Sequence, residues 1–159
     1  FLMEIRKITH HKKQYLPLLL LGDEQESMID RYLSRGTLYV LLDNGPKGVC
    51  VVTDEGFLPE DSWPENGRVL EIKNIAITPS CQKQGYGKAL IRFIEDTYRQ
   101  SYTVLQVGTG DSPLTLPFYE ACGFTVSHRV KDFFTQHYDH PIIENGVPLT
   151  DMVYLRKKL

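Results

Sequence analysis

The chain has 159 residues, 42% of them hydrophobic and 24% charged, with a formal net charge of −2. That size and balance suit one globular domain with a substantial core. The near-neutral charge, without a basic stripe or arm, argues against nucleic acid as a partner, and no apolar run approaches the roughly 20 residues of a membrane span. Three scattered cysteines, Cys50, Cys81 and Cys122, suggest reduced thiols in a cytoplasmic protein rather than a disulfide framework. No cleavable leader pattern precedes Met3, which follows Phe1-Leu2 and is a candidate natural start.

Residues 3–8 alternate as a first strand. Helical patterns follow over 12–21 and 24–33. The apolar run 16–21 contains Pro17 and reads as a core helix. Strands over 37–42 and 48–53 flank Asn44-Gly45, a strong hairpin signal. Residues 54–67 form a polar loop. It carries Asp54, Glu55, Glu60, Asp61 and Glu65 without a lysine or arginine before Arg68. Such a loop could attract a cationic molecule or could simply be solvated. A strand over 69–77 comes next, then a short glycine-containing loop and a helix to about Arg99 with Leu90, Phe93, Ile94 and Tyr98 on one face. Period two places Glu71, Lys73, Ile75 and Ile77 on one side of that strand, and Ile72, Asn74 and Ala76 on the other. A strand over 103–107, a short helix over 114–122 stopped by Gly123, and strands over 125–130 and 152–155 complete the chain. Asp111 or Ser112 is placed to cap the short helix ahead of Pro113. No internal repeat appears.

The loop Cys81-Gln82-Lys83-Gln84-Gly85-Tyr86-Gly87-Lys88-Ala89 carries the chemistry. A strand, a glycine bend and a helix start make an anion site, because first-turn N–H groups lack partners and the helix dipole favours negative charge there. Gly85 and Gly87 remove side chains that would hold a phosphate off the backbone. The Walker pattern fails, since Ala89 stands where a hydroxyl is needed and no upstream glycine is in register. The dinucleotide fingerprint fails at its third glycine, where Leu90 stands.

Gln82-x-x-Gly85-x-Gly87 resembles the acyl-CoA pyrophosphate loop of the GCN5-related N-acetyltransferase (GNAT) superfamily. The preceding strand resembles that family's fourth strand. Pro117-Phe118-Tyr119-Glu120-Ala121-Cys122-Gly123-Phe124 resembles its late Y-E-x-x-G-F segment. The likeness is clearest over 37–131. It implies an α/β (α+β) fold, a mixed and mostly antiparallel sheet of about seven strands flanked by about four helices and splayed between the fourth and fifth strands. It also implies transfer of an acyl group, expected to be acetyl, from acetyl-CoA to a primary amine by direct attack. A binding module that has lost turnover is the alternative, and an unrelated nucleotide-binding enzyme is a third reading.

By that resemblance, main-chain N–H groups from Gln82, Lys83, Gln84, Gly85, Tyr86, Gly87, Lys88 and Ala89 wrap the diphosphate. Lys83 and Lys88 either add charge or are solvated. Ile75, Ala76 and Ile77 pair with the pantetheine arm, and the N–H of Ile77 or Ala76 polarises the thioester carbonyl. Phe118 lies in the same cofactor-binding segment. Tyr119 is the candidate general acid for the leaving thiolate, against a packed core tyrosine. Glu71 is the candidate general base, against an ion pair with a cation such as Arg68. Many relatives hold the cofactor arm with an asparagine near this point, where this chain has Asp111. His137 and His140, and His10 and His11, have no second ligand pair at metal-binding spacing, so no metal is expected. The aromatic segment 132–145 is long for a hairpin connection and reads as a binding loop over the acceptor site or a packed excursion. Exposed sheet edges would admit a homodimer.

Overall fold

A computed structural model describes residues 3–62, 64 and 66–159. The expectations for Phe1-Leu2 and for Glu65 lie outside those residues. Nine strands are described: β1 (Glu4–Ile8), β2 (Thr37–Leu42), β3 (Pro46–Phe57), β4 (Arg68–Ile77), β5 (Val104–Gly110), β6 (Thr125–Val130), β7 (Ile143–Glu144), β8 (Val147–Pro148) and β9 (Met152–Lys158). The α-helices are α1 (Leu16–Gly22), α2 (Glu26–Ile29), α3 (Tyr86–Tyr98), α4 (Leu116–Ala121) and α5 (Phe133–His137). Seven strands form one sheet in the order β1-β2-β3-β4-β5-β9-β6, and β7 pairs with β8 apart from it. Within the large sheet only β4 and β5 run parallel. The mixed, mostly antiparallel sheet is the one expected.

Two cores form because strand side chains alternate between faces. Tyr39, Leu41, Cys50 and Val52 pack with Tyr86, Leu90, Ile91 and Ile94 of α3. Their neighbours Leu38, Val40, Val49 and Val51 pack with Leu19 of α1 and with Ile29, Tyr32 and Leu33 at and after α2. Pro17 sits in the first turn of α1, where its missing N–H costs nothing. Residues 12–15 form a 3-10 turn rather than the start of that helix. The Asn44-Gly45 turn has both residues at positive φ, as the hairpin signal requires.

β4 departs from simple alternation. Its register to β3 steps from Val51↔Asn74 to Val52↔Ile72, so Lys73 is an inserted residue, a β-bulge. Leu70 and Ile72 face α3 before the bulge, and Ile75 and Ile77 face it afterwards. Glu71 therefore lies on the opposite face from Ile75 and Ile77 and shares its side with Asn74 and Ala76. The period-two assignment is corrected on this point.

Residues 132–149 are not an irregular loop. They contain α5 and the β7–β8 hairpin, turned by Asn145-Gly146, both at positive φ. Phe134, Ile142 and Leu149 form a small core of their own.

Candidate active site

The glycine loop begins where β4 ends. A 3-10 turn (Pro79–Cys81) closes with Cys81 N–H donating to Thr78 O at 2.8 Å. The Gln82 side chain donates back to Ile77 O at 3.2 Å, bracing the loop rather than reaching outward. Lys83 and Gly85 take positive φ, and Gly85 caps α3. A Cβ on Gly85 would meet open space, so its glycine serves conformation. A Cβ on Gly87 would stand 3.1 Å from the Phe118 ring, so that glycine serves close approach. Among the described residues, no acceptor takes the N–H of Lys83, Gln84, Gly85, Gly87 or Lys88. The predicted cradle is narrower than eight residues, however. Ala89 N–H is committed to Gly85 O at 3.0 Å, and Gln82 N–H points to Pro79 O at 3.4 Å. Tyr86 turns its ring into the core, where its hydroxyl bonds Asp43. Lys83 and Lys88 are exposed and make no ion pair among the described residues.

Ladder pairing between β4 and β5 runs only from Val69↔Val104 to Ile72↔Val107. Beyond it the strands part, and Lys73 to Ile77 have an open edge. Thr78 N–H donates to Lys47 O at 2.8 Å, on the β3 side. Strand N–H groups alternate in direction. Ala76 N–H therefore also faces β3, while those of Ile75 and Ile77 face the open edge. Of the two donors expected for a thioester carbonyl, Ile77 faces the open edge and Ala76 faces β3; the N–H of Ile75 also faces the open edge.

The split opens onto a cavity of about 760 Å³ that Glu71, Ile75 and Tyr119 all line. Tyr119 projects from α4 and is 7% exposed, its ring edge-on to Phe118 and Phe124. Burial pushes its phenol well above the ordinary value, so it carries its proton at neutral pH.

Glu71 is 5% exposed. Its partner cation is Lys73, at 2.7 Å from Oε2, not Arg68. Arg68 pairs instead with Asp54 and holds that carboxyl below its ordinary value. Glu55 is bridged by Arg35 at 3.0 Å and approached by Lys73 at 3.8 Å. The first two acids of the 54–66 loop are thus neutralised by neighbours, and none of the loop's described acids lines the cavity.

Sequence reasoning missed other groups here. Asp23, after α1, lines the cavity and accepts hydrogen bonds from Tyr32 at 2.9 Å and Tyr138 at 2.6 Å. Burial pushes its carboxyl upward. Asn74, 3% exposed, donates to Leu19 O and to the Tyr32 hydroxyl. The sequence offered one signal, Gln106 as the lone polar residue in the apolar run 104–107, which marks the position but not its partners.

The segment around α5 does wall the cavity, with Phe133, Phe134, Tyr138 and Ile142. His137 packs on Phe133, and His140 bonds Asp139. Among the described residues no set of His, Cys, Asp and Glu converges as a metal site. Ser112 does not cap α4 itself; its hydroxyl accepts from Leu114 N–H, two residues before the helix begins, and Asp111 pairs with Arg129. No helix among the described residues is long and apolar enough to cross a membrane.

Comparison with known proteins gives a consistent result. The model of the acetyltransferase (GNAT) domain matches residues 34–126. The N-acetyltransferase YvbK of Bacillus subtilis is 36% identical over 141 residues, spanning 87% of this chain and 84% of that protein. A GNAT family acetyltransferase from Elizabethkingia anophelis, solved with acetyl-CoA bound, superposes with a TM-score of 0.87 at 33% identity, over 99% of this chain and 98% of that one. A Bacillus subtilis acetyltransferase solved with CoA superposes with a TM-score of 0.82 at 34% identity, over 99% of each chain. Family model, relatives, sheet order and open strand edge agree: this chain belongs to the GNAT family of acetyltransferases.

Proposed function

We propose that this acetyltransferase moves an acetyl group from acetyl-CoA to a primary amine, by direct attack while both substrates are bound. One observation carries the reading. The open edge of β4 runs from the glycine loop, with five unclaimed main-chain donors, to a cavity lined by both a buried phenol and a carboxylate. The donors of Lys83, Gln84, Gly85, Gly87 and Lys88 suit a diphosphate. Acetyl-CoA and CoA in the two neighbouring structures support the choice of cosubstrate.

Each step then has a residue. The N–H groups of Ile75 and Ile77 face the place where thioester oxygen would gain charge, and one such donor is typically worth about 3 kcal/mol in a transition state. Glu71, through a water, takes the proton that the amine must lose. Tyr119, kept protonated by burial, returns a proton to the departing thiolate. The acceptor enters between the end of α1 and the α5 segment. Asp23 has no ion-pair cation among the described residues, which favours an acceptor carrying positive charge.

The test is release of CoA thiol from acetyl-CoA against a panel of amines, run beside calorimetry with acetyl-CoA. Amine-dependent thiol release supports the proposal. Tight acetyl-CoA binding without turnover on any amine would favour a sensor module instead.

A further inference from the structure

Glu71 belongs to a row of side chains that crosses five strands. Register pairs Thr53 with Glu71, Glu71 with Gln106, Gln106 with Arg156, and Arg156 with Thr125. All five fall on the sheet face away from α3. Three of them are joined in sequence. Gln106 Nε2 donates to Glu71 Oε1 at 2.5 Å, and Arg156 Nε donates to Gln106 Oε1 at 2.7 Å. The geometry points to Gln106 and Arg156 as positioning residues that fix the Glu71 carboxylate for proton transfer; this rests on the proposed role of Glu71 as base.

A guanidinium can only donate. Arg156 therefore fixes which end of the Gln106 amide faces it, and the NH2 end is left for Glu71. Lys73 holds the other oxygen, Oε2, at 2.7 Å. With both oxygens engaged, the carboxylate plane has one setting. Gln106 does not line the cavity, whereas Glu71 does. Gln106 is 7% exposed and sits among Val104, Leu105 and Val107. A buried amide in that setting costs free energy unless paired, and leucine would fill the same space. The row suits a site that must keep an oriented carboxylate, not a sheet that only needs packing.

Other charged groups surround the carboxylate. Glu55 and Arg35 approach from the β3 side through Lys73. From β9 and β6, Tyr154 and His128 are close enough to feel its charge, and their rings stack at 4.8 Å. None of these donates to Oε1, so among the described residues the Gln106 amide sets that oxygen.

A double-mutant cycle on the full chain separates positioning from packing. Steady-state kinetics with acetyl-CoA and an amine identified by the thiol-release screen are measured for wild type, Glu71→Gln, Gln106→Leu and the double variant. Glu71→Gln is expected to lower kcat about 100-fold. Gln106→Leu is expected to lower kcat about tenfold with KM for acetyl-CoA unchanged. The double variant is expected to fall no further than Glu71→Gln alone. If Gln106→Leu costs the same factor in both backgrounds, or leaves kcat at wild type, the positioning role is wrong while Glu71 keeps its own. If Glu71→Gln retains wild-type kcat, the base assignment fails first and takes this inference with it. Should Gln106→Leu not fold, Arg156→Met enters the same cycle, with a smaller fall in kcat that must likewise vanish in the Glu71→Gln background.

Discussion

Tyr119 and Asp23 show how burial sets what a side chain can do. The Tyr119 phenol is raised by burial, first of all, with Cys50 and Cys122 adding to it. Its folded-state value lies above the unfolded one, so its protonated form is intact through the neutral range. Any alkaline loss of kcat or stability due to this group sets in only above about pH 10, the unperturbed tyrosine value. Tyr119→Phe is expected to lower kcat about 10- to 100-fold with little change in KM for acetyl-CoA, read by steady-state kinetics; wild-type kcat in that variant would return Tyr119 to the core. Asp23→Asn keeps an acceptor for one tyrosine hydroxyl and removes the charge. It is expected to raise KM for a cationic amine about tenfold and leave KM for acetyl-CoA unchanged, measured on the same amine panel. Motif position singled out Tyr119 and Glu71, and the fold brings both to the cavity. Gln106, Arg156 and Asp23 were not legible, because each has a partner 35 to 115 residues away along the chain. The partners of the acidic loop were hidden for the related reason that Arg68, Arg35 and Lys73, which pair with Asp54 and Glu55, stand outside it.

Elements were legible where local chemistry decides them. Asn44-Gly45 and the apolar stripe of α3 each state their structure within a few residues. The β4 bulge was not, since an inserted residue leaves no mark in an apolar–polar pattern and appears only against the partner strand. It has a consequence for the site. Without Lys73 as the extra residue, Glu71 would point toward α3 instead of the cavity. The short α5 and the β7–β8 hairpin were hidden too. Asn145-Gly146 signals a turn, but strands of two residues carry too little pattern to recognise. At the glycine loop, conformation and space can be tested separately. Gly85→Ala forces a Cβ into φ +85 with nothing to clash against. It is expected to cost about 1 kcal/mol of stability, read by denaturant unfolding, and to weaken CoA binding in calorimetry; Gly85→Asn is expected to cost less, because asparagine tolerates this region.

At the scale of the whole molecule, the parallel pair β4–β5 is what gives the fold a site. Two strands that pair for four residues and then diverge leave main-chain donors on one edge and a cavity between the layers. The glycine loop lies at the far end of that edge, so cofactor and chemistry are aligned by one strand. Sequence order of strands and helices was sufficient to anticipate the sheet, because the motifs carry the resemblance and connections in such a fold are short. The central claim is that the N–H groups of Lys83, Gln84, Gly85, Gly87 and Lys88 hold the diphosphate of coenzyme A. An amide-resolved NMR titration of the full chain with CoA tests it directly. The account predicts that the largest shifts fall on Lys83, Gln84, Gly85, Gly87 and Lys88, with Ile75 and Ile77 next. Shifts that leave these amides unmoved, or that cluster elsewhere on the molecule, would contradict it.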